Sequence, residues 1–464
     1  MISRIQTGPL SMIQYILLII LSMNGFSGCV THFQEIRNRH ALEFTEGLEE
    51  KSNLLIIEKG SLDLDTCIDI ALENNLDIKI AHINGRLSGI GRNIAFSRFL
   101  PRVDFEYSHL ENDKQQLHRA GTAYMATSDQ DITQKVISGQ IALLNPATWF
   151  MYNAYKKGEE IQLLLTERVK QAIRLQVTSL YIACLTYEVS GKAIESSLDQ
   201  AKNLVREMES LAREGLILES ERKEAKVFLA SQENRLEENH RLKSETKAQL
   251  LEAMGLSPLA EITLWGLPHL SIRDEDISAQ VLRAMLNRLE LKVSDREISI
   301  RRDLIHMTIA NFLPKISLFS NYTNSSNSFY YYENILSYGI SGLLALFDGF
   351  TNIQAYKEAK EKQKQAMVKR EQLCMKIMLE VISARNQLDR VKDRQKLMKL
   401  ELDASKRRLR ETRALWREGM ALSSDKLRAV AGFVAAEANA NLADYHYQVA
   451  VATMRDVMGL SGKE

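Results

Sequence analysis

The side chains best placed to do chemistry in this chain are one cysteine and two carboxylates. Cys29 closes the stretch Phe26-Ser27-Gly28-Cys29, which follows the apolar run Tyr15-Ile16-Leu17-Leu18-Ile19-Ile20-Leu21, with Arg4 the only charge before it. A run of that length is short for a bilayer span and reads as an export signal over residues 1–28. Small residues before the cysteine form a lipobox-like end, although Phe26 stands where an aliphatic residue is usual, and they make the Cys29 thiol an acceptor for acylation. Val30 follows, so no aspartate is present there to hold a lipoprotein in the inner membrane. The two carboxylates, Glu221 and Asp425, each lie six positions after a glycine, Gly215 and Gly419, where a helical pattern begins. An acid in that place complements a helix dipole, worth about 0.3–1 kcal/mol.

Other chemistry finds no support. The nine histidines are scattered without a His-x-x-x-His spacing for zinc, and no Gly-x-x-x-x-Gly-Lys-Ser loop is present to cradle a phosphate. Cys67, Cys184 and Cys374 remain as an odd set in helical patterns, with no metal spacing, and read as small core residues. No metal or cofactor is expected, and the chain reads as a non-enzyme. With 60 Lys plus Arg against 59 Asp plus Glu, the net charge of +1 gives no electrostatic case for nucleic acid.

The elements that must position these residues are duplicated. Ala71-Leu72-Glu73-Asn74-Asn75-Leu76 answers to Ala284-Met285-Leu286-Asn287-Arg288-Leu289, and Phe99-Leu100-Pro101 answers to Phe312-Leu313-Pro314. Arg213-Glu214-Gly215 returns as Arg417-Glu418-Gly419, and Met254-Gly255-Leu256-Ser257 as Met458-Gly459-Leu460-Ser461. Between these blocks runs a heptad seam. Ile173, Val177, Leu180, Cys184, Tyr187, Gly191, Ile194, Leu198, Ala201, Val205 and Met208 alternate steps of four and three, and positions 204 further on keep the register from Ile377 to Thr412. Each seam predicts one helix of about 67 residues, roughly 100 Å long. Shorter helical patterns flank it, about 62–98 with 222–254 and about 276–311 with 426–458, which makes an antiparallel coiled-coil wall.

At the end away from the Arg-Glu-Gly turns, four runs alternate apolar and polar residues at about 102–110, 134–145, 315–323 and 337–347. Strand parity puts Phe105, Ile141, Leu318 and Leu344 on one face and Ser317 on the other. Alternation over about ten residues suits a membrane barrel with a wet lumen. Four strands cannot close such a barrel, and an open edge is excluded in lipid, so three chains supplying twelve strands are expected.

Several of these blocks together resemble the TolC-type outer-membrane efflux proteins, in their lipoprotein branch. Ser61-Leu62-Asp63-Leu64 leading to Ala71–Asn75 is similar to the family's opening helix. Phe99-Leu100-Pro101 and Phe312-Leu313-Pro314 look like its helix-to-strand passages, and Leu346-Phe347-Asp348-Gly349 resembles its strand-to-helix exit. The most specific part is a glycine, an acid six positions on and an alanine four after that: Gly215, Glu221 and Ala225, then Gly419, Asp425 and Ala429. The resemblance spans about residues 61–461. It implies an α+β membrane protein, with a long antiparallel α-helical barrel continuous with a trimeric twelve-stranded β-barrel and an internal two-fold repeat.

The same resemblance implies a homotrimer in the outer membrane of a Gram-negative bacterium. It would be lipid-anchored, with its tunnel in the periplasm meeting a periplasmic adaptor and an inner-membrane pump, proton-driven or ABC. Gly215-Leu216-Ile217-Leu218 and Gly419-Met420-Ala421-Leu422 match the adaptor-engaging tip, and Asp425, with Glu221 as its counterpart, matches an acid guarding the aperture. Along the chain this gives a signal to 28, an anchored extended segment over 29–60, a first unit over 61–257, a linker over 258–275 and a second unit over 276–464. The expected function is the exit duct of a tripartite efflux system. The alternatives are the exit channel of a type I protein secretion system and a non-conducting periplasmic scaffold.

Overall fold

The computed structural model describes residues 33–266, 268 and 270–460; Cys29 and the export signal lie outside the described residues. Two helices dominate, α4 over Pro146–Arg213 and α8 over Thr351–Arg417. Punctuation sets their ends. Pro146 occupies the first turn of α4, where its missing N–H costs nothing, and Gly215 and Gly419 take left-handed φ values of 70° and 73° just beyond the last turns. Each long helix is covered by shorter ones: α1 Phe33–Lys59, α2 Leu64–Asn74, α3 Leu76–Ser97 and α5 Glu219–Ala253 in the first half, α6 Ile277–Asn287, α7 Leu289–Ala310 and α9 Ser423–Val457 in the second. Across the wall α4 packs against α3 and α5 on one side and α7 and α9 on the other, and α8 packs beyond α7 and α9.

Residues 33–59 correct the sequence reading, which expected an extended segment there: they form α1. Apolar periodicity signals a helix only where one face is buried, and most of α1 is exposed. Its lower end alone is fixed. Ser52 is fully buried, its hydroxyl accepts a 2.8 Å hydrogen bond from the Ser257 amide, and Leu55 and Ile56 pack on the core made by α2, α4 and α5.

The patterns at 62–98 and 276–311 are each two helices rather than one. α2 gives way to α3 at Asn75, and α6 to α7 at Arg288, because the ends of α5 and α9 dock into those breaks. Asn75 Nδ2 donates to the Ala253 carbonyl at 2.9 Å, and Arg288 Nη1 donates to the Val457 carbonyl at 3.3 Å. Each side chain thus satisfies one of the carbonyls a helix leaves unpaired at its C-terminus. The docking is close. Gly255 holds φ +69°, and a Cβ there would lie 2.4 Å from the Asn74 carbonyl oxygen, whereas one on Gly215 would meet open space. An alanine at either position takes on left-handed strain of about 1–3 kcal/mol, so Gly255→Ala should lower thermal stability clearly more than Gly215→Ala, the excess reporting the joint.

The heptad seam breaks at Gly191 for a reason the pattern did not show. Asn239 of α5 passes over it, donating to the Tyr187 carbonyl at 3.0 Å, and a Cβ at residue 191 would meet Asn239 Nδ2 at 2.9 Å. In α8 the seam breaks at Gln395, which donates to Asp444 of α9 at 2.7 Å. Above the linker, the buried Tyr181 hydroxyl donates to the Trp265 and Gly266 carbonyls at 2.5 and 3.0 Å, and burial first of all pushes its pKa up to about 12. Cys67 and Cys184 are buried free thiols, also raised to about 12 by burial.

Opposite the hairpin turns stands one antiparallel sheet in the order β1-β4-β5-β6, with β1 Arg102–Glu111, β4 Asp131–Leu144, β5 Lys315–Ser325 and β6 Asn334–Leu343. A hairpin missed in the sequence, β2 Leu117–Ala120 with β3 Ala123–Ala126, projects from the β1–β4 connection. It lacks alternation, and its two strands touch little else. The connection is held to the β5–β6 loop, Asp129 accepting from the Ser328 amide and hydroxyl at 2.5 and 2.8 Å. Where sheet meets helices, Phe96, Phe99, Trp149 and Tyr152 cluster with ring centroids 4.7–6.1 Å apart.

Candidate functional site

Register decides what each face of the sheet presents. Residues directly paired across strands share a face. Phe105 pairs with Ile137, Ile137 with Tyr322 and Tyr322 with Leu336; one level lower, Ile141 pairs with Leu318 and Leu318 with Ile340. Over these levels the face is apolar, giving way to Lys135, Asn324 and Asn334 nearer the loops, and Phe105, Leu336 and Ile340 are 61–69% exposed on it. The opposite face is the more polar one, with Ser138 against Asn321, Asn321 against Ser337 and Ser317 against Ser341, although Val136, Phe319 and Ile335 also lie on it. Leu344 falls just past the end of β6, so parity cannot be carried to it. Among the described residues β1 and β6 have no partner on their outer edges.

At the other end, two hairpin turns lie beside each other. In each, the chain leaves the long helix through a glycine that lets a six-residue bond close: the Leu216 amide donates to the Leu211 carbonyl at 2.9 Å, and the Met420 amide to the Leu415 carbonyl at 2.8 Å. The next helix starts on a leucine, Leu218 or Leu422, in extended conformation with no side-chain cap. The acid three residues on supplies what the leucine lacks. Glu221 accepts from the Leu218 amide at 3.1 Å, and Asp425 from the Leu422 amide at 3.3 Å. Asp425 also receives the Arg428 guanidinium at 3.0 Å. Both carboxylates are thus engaged at helix starts.

Leu216, Leu218, Met420 and Leu422 are all exposed. Ile217 instead turns inward onto Leu204, Val205, Met208 and Ala225. A leucine at the first cap position costs about 1 kcal/mol against Ser, Thr, Asn or Asp, and here it occurs twice at the same place with its side chain in solvent. The two hairpins are tied by contacts that no local pattern could reveal. Lys426 Nζ lies 2.5 Å from Glu207 and 3.4 Å above the centre of the Trp416 ring, and Arg413 donates to Gln200 at 2.7 Å. Among the described residues no group of three or more His, Cys, Asp or Glu could hold a metal ion, and no helix is long and apolar enough to cross a membrane.

Comparison with known proteins agrees with this geometry. The family model described as outer membrane efflux protein matches residues 281–460. No curated protein matches the sequence. The Campylobacter jejuni CmeC outer membrane channel shares the fold with a TM-score of 0.74 at 18% identity, over 86% of this chain and 86% of that one. The Neisseria gonorrhoeae MtrE outer membrane channel, solved in its open state, gives 0.71 at 17% identity, over 86% and 89%. A membrane protein from Pseudomonas aeruginosa gives 0.74 at 16% identity, over 85% and 90%. The two-faced sheet and the paired hairpin turns thus go with a match to the outer membrane efflux protein model over residues 281–460 and with the fold of solved outer membrane channels.

Proposed function

We propose that three copies of this chain form an exit duct through the outer membrane, driven by an inner-membrane pump through a periplasmic adaptor. The observation that carries this reading is the four-stranded sheet with one mainly apolar face, one more polar face and two edges unpaired among the described residues. Open edges cannot stand in lipid, and joining β6 of one copy to β1 of the next closes twelve strands around a polar lumen. The helices support the same closure. α3 exposes the heptad stripe Leu76, Ile80, Ile83, Leu87, Ile90 and Ile94, while α8, at the opposite side of the wall, exposes Val368, Met375, Leu379 and Ile382. Two a/d seams without partners in one chain suit each other across a copy boundary. The corresponding helices, strands and turns of the two halves support an internal two-fold repeat.

The solvent-facing Leu216, Leu218, Met420 and Leu422 supply the apolar surface for the adaptor. In a trimer the six turns gather at the lower end, and Asp425, with Glu221 as the lesser contributor, forms the acidic guard of the aperture. Acylation of Cys29 anchors the chain. Purified protein in planar bilayers should conduct and should run as a trimer by native mass spectrometry; intact trimers without conductance would leave a scaffold. In asymmetric salt, Asp425→Asn should weaken cation preference with assembly unchanged. An unaltered reversal potential would confine Asp425 to its helix-start role.

A further inference from the structure

The upper part of α1 has no partner among the described residues, and its direction and length say what it meets. At Lys51 the helix passes beside Lys79, near the start of α3, and its lower end leads to Leu62, whose carbonyl faces the Tyr181 hydroxyl. Further up α3, Ala81 meets Thr166 and Arg92 meets Glu159, so α3 climbs toward the sheet as α4 descends from it. α1 therefore runs antiparallel to α3. From Lys51 up to Phe33 is 18 positions, and from Lys79 up to Ser97 is also 18, about 27 Å in each case. A straight α1 brings Phe33 level with the end of α3, five positions below the first strand residue, Arg102.

The composition of α1 changes along that length. Its first turns expose Phe33 and Ile36 and carry Arg37 and Arg39 against the single acid Glu35, a net of +1, whereas its middle carries Glu43, Glu46, Glu49 and Glu50. Apolar side chains beside a net positive charge at one end, and a net negative stretch at a distance from it, are what a helix needs to touch a negatively charged lipid surface end-on. We propose that the first two turns of α1 seat in the periplasmic leaflet, Phe33 and Ile36 in the interface and Arg37 and Arg39 on anionic headgroups. α1 is then a strut of fixed length between the membrane and the joint at Ser257. This rests on the reading of the sheet as membrane-embedded.

The test uses full-length protein carrying Cys29→Ala and Cys374→Ala, in nanodiscs containing phosphatidylglycerol. Single labels are placed through Ile36→Cys, Glu46→Cys or Ile340→Cys with an environment-sensitive fluorophore; Cys67 and Cys184 are buried and do not compete. Lipid-borne nitroxide should quench the labels at 36 and 340 at least about twofold more than that at 46, with aqueous iodide showing the reverse order. Arg37→Gln with Arg39→Gln should lower lipid quenching at 36 and leave 340 unchanged. A label at 36 as open to iodide as that at 46, with 340 still lipid-quenched, overturns the proposal and spares the membrane reading. Protection of 36 from both quenchers assigns α1 to a second copy and overturns the lipid contact. Loss of lipid quenching at 340 removes the membrane reading and the proposal with it.

Discussion

Arginine at residue 340 should abolish stable assembly, while arginine at residue 341 should be tolerated. Ile340 lies in mid-strand on the apolar face, paired with Leu318, and Ser341 is its neighbour on the polar face, paired with Ser317. A guanidinium at the bilayer midplane costs about 2–4 kcal/mol, whereas a lumen position lets it stay hydrated. The change is one residue along the strand, so secondary-structure propensity, synthesis and export are shared and only the face differs. Trimer yield in membranes and heat resistance of extracted trimers read the effect. Equal losses from Ile340→Arg and Ser341→Arg would show that the faces are assigned wrongly.

Removal of the Arg288 side chain should be the most costly change in the helical part. Arg288 is 7% exposed and pairs with Glu290 at 3.0 Å and Glu380 at 2.9 Å, besides capping Val457. Glu290 also takes the Arg168 Nε at 2.8 Å, and Arg168 reaches on to Asp456 at 3.2 Å. The network thus joins α4, α7, α8 and α9 where α9 docks into the α6–α7 break. Breaking a buried pair from one side leaves a charge unpaired, at about 3–5 kcal/mol, although replacing the whole set by apolar residues can be neutral. Arg288→Ala should therefore cost more than Arg296→Ala, whose pair with Glu160 is largely exposed. Thermal or denaturant unfolding compares them.

The same network carries a pH dependence. Burial pushes the Glu290 pKa up, but the hydrogen bond from its backbone and the Arg288 and Arg168 guanidinium groups outweigh that and hold it below the ordinary glutamate value. A depressed carboxyl contributes stability that is fully present above the unfolded value, about 4.3, and is lost as pH falls through the lower folded value. Stability measured below pH 4 should drop less steeply in Glu290→Gln than in the parent chain.

The sequence carries local information well and long-range information poorly. Pro146, Gly215 and Gly419 punctuate the ends of α4 and α8 in the residues themselves, and the seams are periodic because one face is buried along their whole length. The acids at Glu221 and Asp425 stand three residues past the helix start, a spacing visible without a structure. What escaped depends on elements far apart in the chain. The breaks at Asn75 and Arg288 exist because helix ends some 180 residues away dock there. Lys426 finds Glu207 across 219 positions. α1 escaped for the opposite reason: with most of its surface in solvent, it has no buried face to impose a period.

The unpaired margins of β1 and β6 bear on biogenesis. A single copy holds an apolar face that water rejects and backbone edges that lipid rejects, so no solvent suits it alone. On the proposed trimer, crossing into the bilayer and finding its fellows is then one event, and the lone chain is escorted or remains helical wall with an unsettled sheet until that event. A copy damaged at only one margin would still dock by the other and spoil the ring it joins, so such alleles should poison the intact protein when the two are made together.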